Sequence, residues 1–233
     1  MTLGLAFPGP INGLSEETYM LDMLEIHPDG PARALMIWLH GLGADGYDLE
    51  PVAQMLEIPG VHHVLPHAPV RPVTLNGGMA MRAWYDIATP DLQWREDAEG
   101  MRASAHVVKT LVENLRAENG LPVILAGFSQ GAVISLATAA MGVDLLGVAA
   151  LSGYLPAYLS DVPEPLSSVQ IFMAHGRQDT VIPFALARAG SDTLIKSGSL
   201  LDWHAYDMPH AICADEINAL RKEVTRWLEQ ALI

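Results

Sequence analysis

The chain has 233 residues, half of them hydrophobic and only 17% charged, enough apolar material for a large core and far from the composition of a disordered chain. Its formal net charge of −14 repels phosphate and argues against nucleic acid and anionic membrane surfaces as partners. The single cysteine, Cys213, permits no intrachain disulfide, so an oxidising compartment is not required.

Residues 1–17, rich in Gly and Pro, read as a flexible leader. Met1–Pro8 lacks a basic region and a long apolar stretch, so neither a signal peptide nor a membrane anchor is expected, and a cytoplasmic location follows by default. No apolar run is long enough to insert across a bilayer. No linker divides residues 18–233, which are expected to form one domain. Thr18–Ile26 is a candidate outer strand. Ala34–Leu39 is an apolar run without alternation, which suits a strand buried on both faces. The same pattern recurs at Val61–Leu65, Pro122–Ala126, Leu146–Leu151 and Val169–Ala174, and more weakly at Leu200–Tyr206. Helices are predicted between them: Glu96–Glu118, whose apolar residues recur with a period near 3.6, then Gly131–Met141, Phe184–Ser197 and Ala211–Leu232. Strand–helix alternation implies an α/β protein with a mostly parallel twisted sheet and helices on both faces. In such sheets ligands sit at the carboxyl ends of the strands.

The segments at those ends carry the unusual chemistry. Gly127-Phe128-Ser129-Gln130-Gly131 fits G-x-S-x-G, with an apolar strand immediately before it and a helix immediately after. This context forces the serine hydroxyl to project from a sharp turn, and glycines two residues to either side avoid a clash. Ser129 is the candidate nucleophile. A serine needs a base, and in this arrangement the acid and then the histidine follow it in the chain. Three histidines lie downstream. His175 precedes the best acid and His204 lies inside a strand, whereas His210 follows Asp207-Met208-Pro209 in a loop suited to a proton carrier. Asp179, just beyond the strand ending at Ala174, is the preferred acid. It would accept the Nδ1 proton of His210 and stabilise the imidazolium. Asp207 is its main rival, while Asp192 and Asp202 read as solvated faces.

His40-Gly41-Leu42-Gly43-Ala44-Asp45 follows the strongest strand. The backbone N–H groups of Leu42 and Gln130 are the candidate oxyanion donors, with His40 and Asp45 as braces of the loop. Leu75–Asp86 lacks clear periodicity. Its Met79, Met81 and Trp84 are candidate substrate-binding residues in a flap, with core packing an equal alternative for Trp84. His62, His63 and His67 are set aside as metal ligands, because adjacent strand residues face opposite sides and no carboxylate or cysteine cluster accompanies them. No metal is expected.

These segments resemble the phospholipase/carboxylesterase family of the α/β-hydrolase superfamily, which includes acyl-protein thioesterases and bacterial carboxylesterases. The matching blocks are Ile37–Asp45, Pro66–Pro69, Trp84-Tyr85-Asp86, Leu125–Gly131, His175-Gly176 with Asp179, and His210 followed by Cys213 and Glu216. The resemblance runs from about residue 33 to the C-terminus. It implies an α/β-hydrolase fold without a separate lid domain, Ser129, Asp179 and His210 as the triad, Leu42 and Gln130 as oxyanion donors, no cofactor, and homodimers that partly cover the active-site face. Two positions depart from the family pattern, which has glycine where this chain has Ala132 and Pro209; the proline fixes its own φ and restricts Met208. The expected activity is hydrolysis of a small-molecule carboxylic ester or thioester with a short or medium acyl chain, through an acyl-enzyme. A serine peptidase or lysophospholipase on the same fold, or a catalytically silent hydrolase-like binding protein, are the alternatives.

Overall fold

A computed structural model of the chain describes residues 21–89 and 96–231. The expected leader and the first residues of the expected outer strand lie outside the described residues. In chain order the elements are β1 (Met23–Ile26), β2 (Ala34–Leu39), α1 (Gly46–Met55), β3 (Val61–Pro66), β4 (Val70–Val73), β5 (Met79–Arg82), α2 (Ala98–Asn119), β6 (Val123–Phe128), α3 (Gln130–Ala139), β7 (Gly147–Leu151), α4 (Glu164–Ser168), β8 (Gln170–Gly176), α5 (Phe184–Lys196), β9 (Leu200–Tyr206) and α6 (Ala214–Gln230). Seven strands form one sheet in the order β1-β3-β2-β6-β7-β8-β9, and only the edge strand β1 pairs antiparallel. This is the α/β-hydrolase fold.

The unbroken apolar runs are explained by burial on both faces. All six residues of β2 are buried. Leu35, Ile37 and Leu39 pack on one side with residues of α2 and α3, such as Met101, Leu111 and Val133. Ala34, Met36 and Trp38 pack on the other with Leu49 of α1 and Leu220, Val224 and Trp227 of α6. A third cluster joins α3, α4 and α5 to Val148, Ala150, Ile171 and Met173. The period of two therefore distributes apolar side chains between two cores and leaves no polar alternation to read.

Helix α2 buries Met101, Ala105, Val108, Leu111, Val112 and Leu115 along one stripe. Its start is capped by Asp97, whose side chain accepts the Gly100 N–H at 2.9 Å, and it ends on Gly120 in the left-handed region. Helix α3 is buried all round, as its small apolar residues require beneath the central strands. The segment read without periodicity contains β5, which pairs with β4 just before that segment in a two-stranded hairpin separate from the main sheet. Its strands are only four residues long and carry Pro72, so no sequence periodicity announces them. No helix among the described residues is long and apolar enough to cross a membrane.

Candidate active site

Strands β2, β6, β8 and β9 run parallel, so their carboxyl ends lie along one edge. The loop 40–45, Ser129, Asp179 and His210 follow those four strands respectively.

Ser129 joins β6 to α3 with φ 56° and ψ −118°, a backbone conformation rare for a residue with a Cβ. The strain is imposed by close packing of the turn. A Cβ at Gly127 would lie 2.3 Å from the Gly131 carbonyl, and one at Gly131 would lie 1.9 Å from the Leu39 oxygen. Both positions therefore demand glycine, and the turn between them has one way to run. The Ser129 N–H donates to the Leu151 carbonyl at 2.9 Å, which anchors the turn to β7.

The hydroxyl meets a hydrogen-bonded line of side chains. Ser129 Oγ lies 2.9 Å from His210 Nε2, and His210 Nδ1 lies 2.6 Å from Asp179 Oδ2. A carboxylate only accepts, so Nδ1 carries the proton and Nε2 is free to accept from the serine. The Asp179 side chain is fully buried. Its Oδ1 accepts the N–H groups of Val181 at 2.8 Å and Ile182 at 2.9 Å, leaving Oδ2 for His210. Buried His175 donates Nε2–H to the Ile182 carbonyl at 2.9 Å and stands 3.2 Å from Asp179 Oδ2. Burial holds the His175 imidazole below its ordinary pKa, so it stays neutral and leaves the carboxylate's charge facing His210. Asp207 is outside this arrangement: it is exposed and pairs with Arg177 at 3.2 Å. Asp192 pairs with Arg188, and Asp202 with His204.

The acid and histidine loops are tied to each other by backbone. Arg177 N–H donates to Tyr206 O at 2.8 Å and Gln178 N–H to Met208 O at 3.1 Å. A Cβ at Gly176 would press within 2.3 Å of the Met208 oxygen, so the two loops touch. The Phe128 ring lies against His210, centroids 4.8 Å apart. Buried Ser152, itself at φ 50°, donates its hydroxyl to Ala211 O at 3.4 Å.

The loop after β2 passes over the serine: a Cβ at Gly41 would stand 3.4 Å from Ser129 Cβ. Among the described residues, the N–H groups of Leu42 and Gln130 have no backbone acceptor. Gly43 N–H donates to Arg82 O at 2.9 Å, and His40 fixes the loop from below. His40 Nδ1–H donates to Gly41 O at 2.7 Å, and Nε2 accepts the Ala68 N–H at 2.9 Å. Only the neutral imidazole can do both, and burial holds its pKa down. Asp45 accepts the Tyr47 N–H at 3.0 Å and caps α1.

The sequence model of the phospholipase/carboxylesterase family matches residues 23–228. The chain belongs to that family. It is an ester hydrolase. It is 37% identical over 242 aligned residues to acyl-protein thioesterase 1 of Mycosarcoma maydis, covering 91% of this chain and 98% of that one. Among solved structures it is similar to acyl-protein thioesterase 2 of Zea mays, with 28% identity, TM-score 0.78 and coverage of 89% and 99%. SOBER1 of Arabidopsis thaliana is similar too, with 28% identity, TM-score 0.77 and coverage of 87% and 100%.

Two features of this carboxylesterase-family site were not read from sequence, or were read differently. Gln130 turns its side chain away from the site into the core, where Oε1 accepts the Trp84 N–H at 2.8 Å and Nε2–H donates to Tyr85 O at 2.8 Å. Trp84 is correspondingly not a substrate-contacting flap residue: it is fully buried, and its indole N–H donates to His40 O at 2.9 Å. The tryptophan braces the two backbone segments that flank the serine. Met79 and Met81 alternate along β5 and so share one face of the hairpin. Met79 is largely exposed, and Met81 Sδ would be 3.7 Å from a Cβ at Gly43. Of the departures from the family pattern, the Ala132 methyl is accommodated because position 153 is glycine, where a Cβ would meet Ala132 Cβ at 2.5 Å. His63 and His67 have protein partners, accepting the Trp38 indole N–H at 3.0 Å and the Gly46 N–H at 2.9 Å.

Proposed function

We propose that Ser129 is the nucleophile of an acyl-transfer mechanism, with His210 as base and then acid, and Asp179 as the group that holds its tautomer. The observation that carries this reading is the unbroken line from hydroxyl to imidazole to buried carboxylate, starting at a strained elbow. Ser129 Oγ attacks the carbonyl carbon as its proton passes to His210 Nε2. The imidazolium is stabilised by Asp179, whose other oxygen is already occupied. The oxyanion is assigned to the N–H groups of Leu42 and Gln130, each expected to contribute on the order of 3 kcal/mol to the transition state. His210 returns its proton to the leaving alcohol or thiol. Water, deprotonated by the same imidazole, then releases the acid.

The substrate class is carboxylic esters including acyl thioesters, which the names of the relatives support. Met79 and Met81 are assigned to the acyl side. Apolar, adaptable thioethers on a short hairpin beside the oxyanion loop fit an open site for short and medium chains. The reading places the protein in the cytoplasm and allows two copies to pair over the site face. The test is a panel of oxygen esters and thioesters of increasing acyl length, run on wild type and Ser129→Ala. Turnover should peak at short or medium chains and fall by at least about 10⁴-fold in the variant. Preference for palmitoyl chains overturns the specificity, and retained turnover in Ser129→Ala overturns the nucleophile.

A further inference from the structure

At the far end of the sheet from the esterase site, edge strand β1 pairs antiparallel with β3, Ile26 opposite His63 and Glu25 opposite Val64. One step further along the ladder, His27 stands opposite His62. The period of two puts Glu25 and His27 on one face of β1, with His62 on the same face of β3. The side chains converge. The His27 and His62 rings have centroids 4.2 Å apart. Glu25 Oε2 lies 2.9 Å from His62 Nε2 and 3.9 Å from His27 Nε2. One ligand atom from each residue falls within 4.8 Å of the others.

His62 Nε2 is buried and has no well-formed hydrogen bond, although the Glu25 carboxylate oxygen is close. A buried imidazole nitrogen beside a carboxylate oxygen, with no well-formed hydrogen bond, is costly unless something between them is shared. Two imidazoles and one carboxylate around a common centre are the donor set of a zinc-class ion. With bonds of about 2.0–2.1 Å, tetrahedral ligands stand about 3.4 Å apart, so movements of about 1 Å in exposed His27 and Glu25 close the set. Oxygen-seeking Mg²⁺ and Ca²⁺ do not suit two imidazoles.

We propose that Glu25, His27 and His62 bind one divalent transition-metal ion of the zinc class, with the fourth position open to water, clipping the edge strand β1 to β3. Of the two premises on which metal binding was set aside from sequence for His62, His63 and His67, the lack of an accompanying carboxylate or cysteine cluster does not hold at His62, because Glu25 and His27 reach it across the strand pair. Ester hydrolysis does not use this ion, since β3 begins at the end of the sheet opposite the carboxyl ends where Ser129 lies.

The experiment is calorimetric titration of the untagged chain with Zn²⁺, with Co²⁺ absorption as a reporter of coordination. Wild type should bind Zn²⁺ with one-to-one stoichiometry and gain thermal stability. His27→Ala and Glu25→Gln, both at exposed positions, should weaken binding by at least about tenfold. His62→Ala should abolish it, and exposed His106→Ala should leave it unchanged. Esterase activity of His27→Ala should equal that of wild type. Absence of saturable binding, or wild-type affinity in His27→Ala and Glu25→Gln, overturns the proposal; that outcome leaves the assignment of Ser129 untouched.

Discussion

Glu216 is fully buried at the third position of α6, with Oε2 accepting the Cys213 N–H at 3.4 Å and Oε1 without a hydrogen-bond partner. Burial raises its pKa from 4.5 to about 8, so the folded protein holds it protonated at neutral pH while the unfolded chain ionises it. Between those values the native state binds the extra proton, and stability is lost as pH rises from about 4.5 to about 8. Glu216→Gln fixes the protonated shape. Its stability relative to wild type should increase across that window, by up to about three orders of magnitude in the folding equilibrium, and level off above it. Denaturant titrations at several pH values check this; a difference independent of pH contradicts it. At this scale Ser129, Asp179 and His210 were legible because strand ends and chain order single them out. The Gln130 side chain and the Ser152 hydroxyl were not. Their partners lie 45, 46 and 59 residues away, and no local pattern encodes such contacts.

The strand–turn–helix at Ser129 works because α3 approaches β6 at Gly127, and the end of β2 at Gly131, too closely for a side chain. Gly131→Ala puts a methyl against the Leu39 carbonyl, and neither is the end of a flexible chain. It should cost several kcal/mol of stability, or displace the turn and lower kcat at least about 100-fold. Thermal unfolding and ester turnover measured together check this, and a variant with wild-type values for both contradicts the account of the elbow. The central strands were legible for the opposite reason: double-sided burial makes them continuous apolar runs. Helix α1, which contains Pro51, and the β4–β5 hairpin gave no such signal. Proline breaks the helical pattern in the first, and half-exposed four-residue strands give too few positions in the second. The hairpin nevertheless bears on the proposed oxyanion site, since the Arg82 carbonyl at its end accepts the N–H of Gly43 in the loop after β2.

Over the whole molecule, buried histidines set the acid limit. His40, His63 and His175 are buried and held below the ordinary value of 6.5, His63 at about 4. Each is neutral when folded and protonated when unfolded, so the unfolded state gains protons as pH falls below 6.5. Stability should drop on acidification toward pH 4, by up to about tenfold in the equilibrium constant per pH unit for each histidine. Glu216 opposes this with a single proton, and the three histidines outweigh it. Unfolding midpoints that stay flat between pH 7 and pH 5 would contradict this balance. The site itself exists only at this scale, because loops after four strands must meet at one sheet edge before hydroxyl, imidazole and carboxylate touch. Labelling with a fluorophosphonate, followed by mass-spectrometric mapping of the adduct, tests that convergence most directly. The account predicts one phosphonylated site, Ser129, with labelling slowed at least about 100-fold in His210→Ala. An adduct on another residue, or unchanged labelling in His210→Ala, would contradict it.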